Sequence, residues 1–243
     1  MFCDPQELPM NTLMETYPYL PTETTVLGIC QDGLPVLFDF HDQSPGAILV
    51  SGDQSCGKTH LLKSISEAAI QYNTSWQVNL VVITSKPEDW DGLRQSSDWS
   101  DYCLGFEPSY ERRAEELVSR VARMVEERRF ARQHGPTILF IIDDLEKSEN
   151  WDSESRDHLE WILKKGPAHR IFPICSIRTE DGLGMGSLLS RFKTRIIGKM
   201  NSPSSRKFLA AGDTGTDDVL EKDQFMVMLG HAWITFKVPM FIR

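Results

Sequence analysis

The eight residues Gly52-Asp53-Gln54-Ser55-Cys56-Gly57-Lys58-Thr59 constrain what this chain can fold into more than any other feature. They satisfy the pattern GxxxxGK followed by Ser or Thr, and they stand where such a pattern has meaning. Before them comes a short apolar run, Ala47 to Ser51; after them Leu61, Leu62, Ile65, Ala68 and Ala69 recur at helical spacing. A strand, a glycine loop and a helix in that order make a phosphate cradle: loop N–H groups wrap phosphate oxygens, and the helix points its positive end at them. Gly52 and Gly57 permit the curvature and the close approach. Lys58 is expected to contact the β and γ phosphates, and Thr59 to offer its hydroxyl to Mg²⁺. Asp53, Gln54, Ser55 and Cys56 fill the free positions, and His60 follows, turned towards nucleotide or solvent. The ligand this predicts is a nucleoside triphosphate, ATP, with Mg²⁺; base specificity stays open, because the segments that would read a base carry no pattern.

A second constraint lies in Thr137 to Ile142, a continuous β-branched and aromatic run that reads as a strand buried on both faces and ends in Asp143-Asp144. Paired carboxylates at a strand tip suit metal-assisted hydrolysis, with Asp143 holding Mg²⁺ through water and Asp144 orienting the attacking water.

The remaining pattern alternates. Val78 to Ile83 reads as a strand, and Ser109 to His134 as a long helix with the apolar stripe Ala114, Leu117, Val118, Val121, Met124 and Val125. Helix Ser155 to Lys165 and strand Arg170 to Ser176 follow. Such alternation predicts an α/β fold, a mostly parallel central sheet flanked by helices with right-handed crossovers. Short hairpins bracket it: Thr24 to Ile29 with Pro35 to Phe40 around Asp32-Gly33, and Gln224 to Leu229 with Ala232 to Val238 around Gly230-His231. Lys86 to Pro108 lacks periodicity and is expected to be a variable excursion; beyond Thr179, a glycine-rich stretch precedes short elements at Leu188 to Phe192, Arg195 to Gly198 and Ser202 to Ala211. Residues 1–23, with Pro5, Pro9, Pro18 and Pro21, read as a proline-rich leader, and 24–243 as one domain.

Charge and cysteine usage narrow the partners. With 35 acidic and 26 basic residues the net charge is −9, so no global positive field draws in nucleic acid. Cys3, Cys30, Cys56, Cys103 and Cys175 are scattered and odd in number, which suits a reducing cytosol rather than a disulfide framework. No apolar run is long enough for an anchor, so the expectation is a cytoplasmic protein that meets a membrane complex only through partners. Trp90, Trp99, Trp151, Trp161 and Trp233 are too far apart for one stacking platform and read as packing residues.

The whole order resembles the FtsK/SpoIIIE/HerA group of RecA-like P-loop ATPases, including the ATPase domains of type VII secretion (EccC) proteins. The resemblance runs from about Thr24 to Phe241. Gly28 to Phe40 looks like the family's lead-in hairpin, Ala47 to Thr59 like its strand and Walker A, Phe140 to Leu145 like its Walker B, and Gly212 to Phe241 like its closing loop and strand pair. The family forms hexameric rings, some pulling double-stranded DNA and others acting on secreted protein or remaining nearly inactive. Two departures stand out. Asp143-Asp144 replaces the motors' Asp-Glu, and a shorter stem sets the carboxylate about 1 Å or more from the ideal water position. Cys175-Ser176-Ile177-Arg178-Thr179 lies where translocases resemble Ala-Thr-Gln-Arg-Pro, so Ile177 replaces a polar sensor, a role left to Ser176. Arg178, Arg191 and Arg195 are the candidates for an arginine reaching a phosphate between subunits. The resemblance implies a slow ATPase subunit, coupled to assembly or to movement of a polymer, DNA or secreted protein, beside copies of itself or related ATPases. The alternatives are a DNA translocase motor and a catalytically weak nucleotide-gated interaction module.

Overall fold

The computed structural model describes residues 15–131, 135–182, 184–212, 214 and 220–239. Ten strands form in chain order: β1 (Thr24–Cys30), β2 (Pro35–Asp39), β3 (Ala47–Gly52), β4 (Val78–Thr84), β5 (Cys103–Pro108), β6 (Thr137–Asp143), β7 (Ile171–Arg178), β8 (Phe192–Ile197), β9 (Gln224–Leu229) and β10 (Ala232–Lys237). Among the described residues four α-helices exceed a single turn: α1 (Lys58–Tyr72), α2 (Arg112–Ala131), α3 (Ser153–Lys165) and α4 (Pro203–Leu209).

All ten strands join one sheet, in the order β2-β1-β10-β9-β8-β3-β7-β6-β4-β5. From β8 to β5 every pairing is parallel, as the alternation of strands and helices dictates. From β8 outward every pairing is antiparallel. The two hairpins extend the sheet, and β1 pairs with β10, so the first and last of the described strands lie side by side.

Strand period two sorts the core onto both faces. Leu49, Phe140, Ile142, Cys175 and Ile177 point to one face, where α2 and α3 bury Leu117, Val121, Leu159 and Ile162. Ile48, Val50, Leu139, Ile141 and Ile174 point to the other, where α1 buries Leu61, Leu62 and Ile65. The N-terminal hairpin is tied to α1 directly. Thr25 donates to the Ile65 carbonyl at 2.8 Å, and Asn73, just past the helix, donates to the Thr24 carbonyl at 2.8 Å. Of the leader, residues 1–14 lie outside the described residues; Tyr17 and Leu20 pack against Val26, Ile29 and Ala68.

The unpatterned stretch after β4 is more regular than expected. A 3-10 turn (Pro87–Trp90) and two single-turn helices lead into β5, which adds a parallel edge strand beside β4. Gly105 at its centre and Pro108 at its end mask the strand in the sequence. Between α4 and β9 residues 213 and 215–219 lie outside the described residues, as do 240–243, so much of the expected closing loop is not covered.

Candidate functional site

The C-terminal ends of β3, β4, β6 and β7 open onto one cleft of about 580 Å³. Parallel sheets place ligands at this end, because the strand-to-helix turns present free backbone N–H groups and side chains there. The Gly52–Thr59 loop forms its floor. Gly57 holds φ at 107°, and a side chain on it would overlap the Asp223 carboxylate, so glycine is required twice over. Cys56 is buried beneath Gly52. The loop is fastened to later segments: the Asp53 N–H donates to the Lys199 carbonyl at 2.9 Å, and the Asp223 N–H donates to the Cys56 carbonyl at 2.9 Å. Lys58 is 7% exposed, and its Nζ donates to the carbonyls of Gly52 and Asp53, both at 2.9 Å. The ammonium thus lies across the loop it would serve. Gln54, Ser55, Thr59 and His60 also line the cleft.

Asp143 anchors the opposite wall. Its Oδ2 accepts from the Thr59 hydroxyl at 2.9 Å, and its Oδ1 from the Ser176 hydroxyl at 2.7 Å. Trp90 Nε1 at 3.4 Å and the Thr84 hydroxyl at 3.5 Å are longer approaches to the same Oδ2. Burial raises the Asp143 pKa above its ordinary value; the Ser176 hydrogen bond pulls it down, and the neighbouring Asp144 charge adds to the rise. A buried carboxylate and a hydroxyl 2.9 Å apart, both hard oxygen donors, fit Mg²⁺, which keeps several waters and draws its other ligands from phosphates.

Asp144 lines the cleft from a left-handed backbone, φ 67°. Its N–H donates to Ser176 Oγ at 2.9 Å, and Ser85 makes a short hydrogen bond to its Oδ2. Ser55 and Asp223 also line the cleft with positive φ, so three of the six described non-glycine residues with that strain gather here.

The structure separates the expected β7 residues. Ser176 is fully buried, its hydroxyl held between Asp143 and the Asp144 amide rather than lining the cleft. Ile177 points to the other face of the sheet, into the core. Arg178 does line the cleft, with Nε 2.9 Å from Glu146 and 2.8 Å from Asp181. Burial pushes the Glu146 carboxyl up from its ordinary value. Arg191 pairs with Glu160 at 3.2 Å beside Gly46 and Ala47, at the opposite end of β3. Arg195 is partly buried, its pKa lowered by that burial, and donates to the Leu189 carbonyl.

Several cleft residues carry no sequence motif: Lys86, Asp89, Lys147, Lys222 and Asp223. Ser85 and Lys86 were findable, since they directly follow a core strand. Asp223 was not, because only the pairing of β9 brings it here.

No family model matches the chain, and no curated protein sequence matches it. Solved structures do. The cytoplasmic domain of the Thermomonospora curvata type VII secretion ATPase EccC superposes with a TM-score of 0.72 at 18% identity, over 98% of this chain and 28% of that one. EccC ATPases 2 and 3, solved with a signal sequence peptide, give 0.72 at 19% identity, over 100% and 44%. The pCW3 conjugation coupling protein TcpA, solved as a monomer with ATPγS, gives 0.73 at 16%, over 97% and 70%. EssC ATPases 2 and 3 from Geobacillus thermodenitrificans give 0.74 at 14%, over 98% and 48%. The chain therefore spans less than half of the EccC and EssC chains it matches. At these identities the likeness is one of fold: the chain shares the α/β fold of these secretion and conjugation proteins.

Proposed function

We propose that this chain binds ATP with Mg²⁺ over the Gly52–Thr59 loop and hydrolyses it slowly, as an ATPase subunit coupled to assembly or to movement of a polymer. The observation that carries the reading is the hydrogen bond from Thr59 to Asp143, 84 residues away, at 2.9 Å. It joins the loop's last residue to the acidic strand tip, where a metal would meet the phosphates. When bound, Mg²⁺ supplies charge neutralisation at the β and γ phosphates. Lys58 would turn its ammonium from the loop carbonyls to the phosphates, Asp143 and Thr59 would hold the metal, and Asp144 would orient water. The TcpA structure with ATPγS supports nucleotide binding in this fold. Slowness is supported by the short Asp144 stem and by its bond to Ser85, which competes for the oxygen that would hold water.

The proposed cargo is a secreted polypeptide, a reading supported by the EccC structure solved with a signal sequence peptide, or else DNA. The chain works in the cytoplasm, beside its own copies or related ATPases, and reaches a membrane complex through them. A nucleotide-gated module without useful turnover is the second reading. It is favoured by the Ser176 hydroxyl being spent on Asp143 and the Asp144 amide.

Calorimetry on Lys58→Ala tests the site. Loss of the cationic partner is expected to weaken ATP binding by roughly tenfold or more, and unchanged affinity in a folded variant overturns it. Single-turnover hydrolysis set against ATP affinity then separates enzyme from gated module.

A further inference from the structure

The cleft has a second wall that the hydrolytic residues leave unused. In the sheet, β6 with its acidic tip lies two strands from β3 on one side, and β9 lies two strands from β3 on the other. Because β9 runs antiparallel to β8, its beginning reaches the cleft end of the sheet. Lys222 and Asp223 line the cleft from there.

Asp223 is firmly placed. Its φ is 62°, its N–H donates to the Cys56 carbonyl at 2.9 Å, and its own carbonyl accepts from the Val238 N–H at 2.9 Å. Its Oδ1 lies 3.0 Å from His60 Nδ1, and its side chain is 20% exposed. A carboxylate fixed beside a phosphate cradle is repelled by phosphate; its useful partner is a neutral hydrogen-bond donor. Thr59 meets Asp143 on the β6 side of the loop, whereas His60 meets Asp223 on the β9 side; a nucleotide laid with its γ-phosphate at the acidic wall would direct its nucleoside end towards His60 and Asp223. The first neutral donors met along it are the ribose hydroxyls, and an acidic residue accepting from a ribose hydroxyl is a known way for nucleotide folds to read the sugar.

We propose that Asp223, held by His60, accepts hydrogen bonds from the ribose hydroxyls of the bound nucleotide and makes the site selective for ribonucleotides. This rests on the ATP-binding reading above and adds to it a residue that reads the sugar.

The test is calorimetry of ATP, 2′-deoxy-ATP, 3′-deoxy-ATP and GTP against the unmodified chain, Asp223→Asn and Asp223→Gly. Asparagine keeps the volume and tolerates the left-handed backbone, and glycine adopts it freely, so one variant serves if the other misfolds. The unmodified chain is expected to bind ATP about tenfold or more tighter than at least one deoxy analogue. Asp223→Gly should bring the ATP and deoxy affinities close together and leave the ATP-to-GTP ratio unchanged. Equal affinity of the unmodified chain for all three adenine nucleotides overturns sugar reading, as does discrimination that survives in the variants. Collapse of the ATP-to-GTP ratio in Asp223→Gly overturns it too, by assigning the carboxylate to the base. If the unmodified chain binds none of the four, the ATP reading itself has failed; if it binds ATP without discriminating, only the role of Asp223 has.

Discussion

Asp143 holds its charge in an unfavourable place, and that has a measurable sign. Burial lifts its folded pKa above the ordinary value of 3.8. A raised folded pKa gives stability that is fully present below the unfolded value and is lost as pH rises through the folded one. In nucleotide-free protein, the stability of Asp143→Asn relative to the parent should therefore improve as pH is raised from below 3.8, then level off once Asp143 is ionised. Denaturant melts across that range would show it, and a pH-independent difference would remove Asp143 as the buried charge. Asp144 predicts differently. Asparagine fits its left-handed φ of 67° and keeps its amide bond to Ser176, so Asp144→Asn should bind ATP nearly as the parent does. Its single-turnover hydrolysis should fall by about 10²-fold; a parental rate would place water orientation elsewhere. That Lys58, Thr59, Asp143 and Asp144 gather at one end of the sheet was legible in the sequence, because each belongs to a short motif whose geometry is local. Ser176 was expected to face a phosphate, and its buried bonds to Asp143 and the Asp144 amide were not legible, since strand period alone does not say which neighbour a hydroxyl will meet.

At the scale of elements, the glycine loop depends on how β9 is packed as well as on its own letters. Gly57→Ala would meet both a φ of 107° and the Asp223 carboxylate, and should cost roughly 1–3 kcal/mol with loss of nucleotide binding. Thermal unfolding and calorimetry on that variant check both effects; a stable protein with normal affinity would mean that the Asp223 contact is dispensable. The core strands and α1, α2 and α3 could be read from periodicity because their burial follows one repeat per element. The edge strand β5 could not, since its residues are only partly buried and a glycine interrupts them. Trp90 was expected to be a packing residue, and it is fully buried; its Nε1 also approaches Asp143, linking the excursion after β4 to the acidic wall.

Whole-molecule behaviour was least legible in the sequence, because it depends on surfaces rather than repeats. Arg178 faces the chain's own cleft, whereas Arg191 lies at the far end of β3, paired with Glu160. We expect ATP with Mg²⁺ to promote self-association, or association with a related ATPase, by linkage between nucleotide binding and the interface. Sedimentation with and without nucleotide checks this; a strict monomer at all concentrations, with normal ATP binding, would favour the solitary gated module. The seams of the sheet carry a consequence of their own. The β9–β10 pair is held to β1 by only two register partners, Ile29 with Lys237 and Cys30 with Phe236, and to β8 by two more, Ile196 with Val227 and Ile197 with Met226. Short ladders open before long ones, so amides of residues 224–237 should exchange with deuterium sooner than those of β3, β6 and β7. Asp223 stands at the start of that panel, so an opening of the panel would carry Asp223 away from the glycine loop while β3, β6 and β7 stay paired with one another.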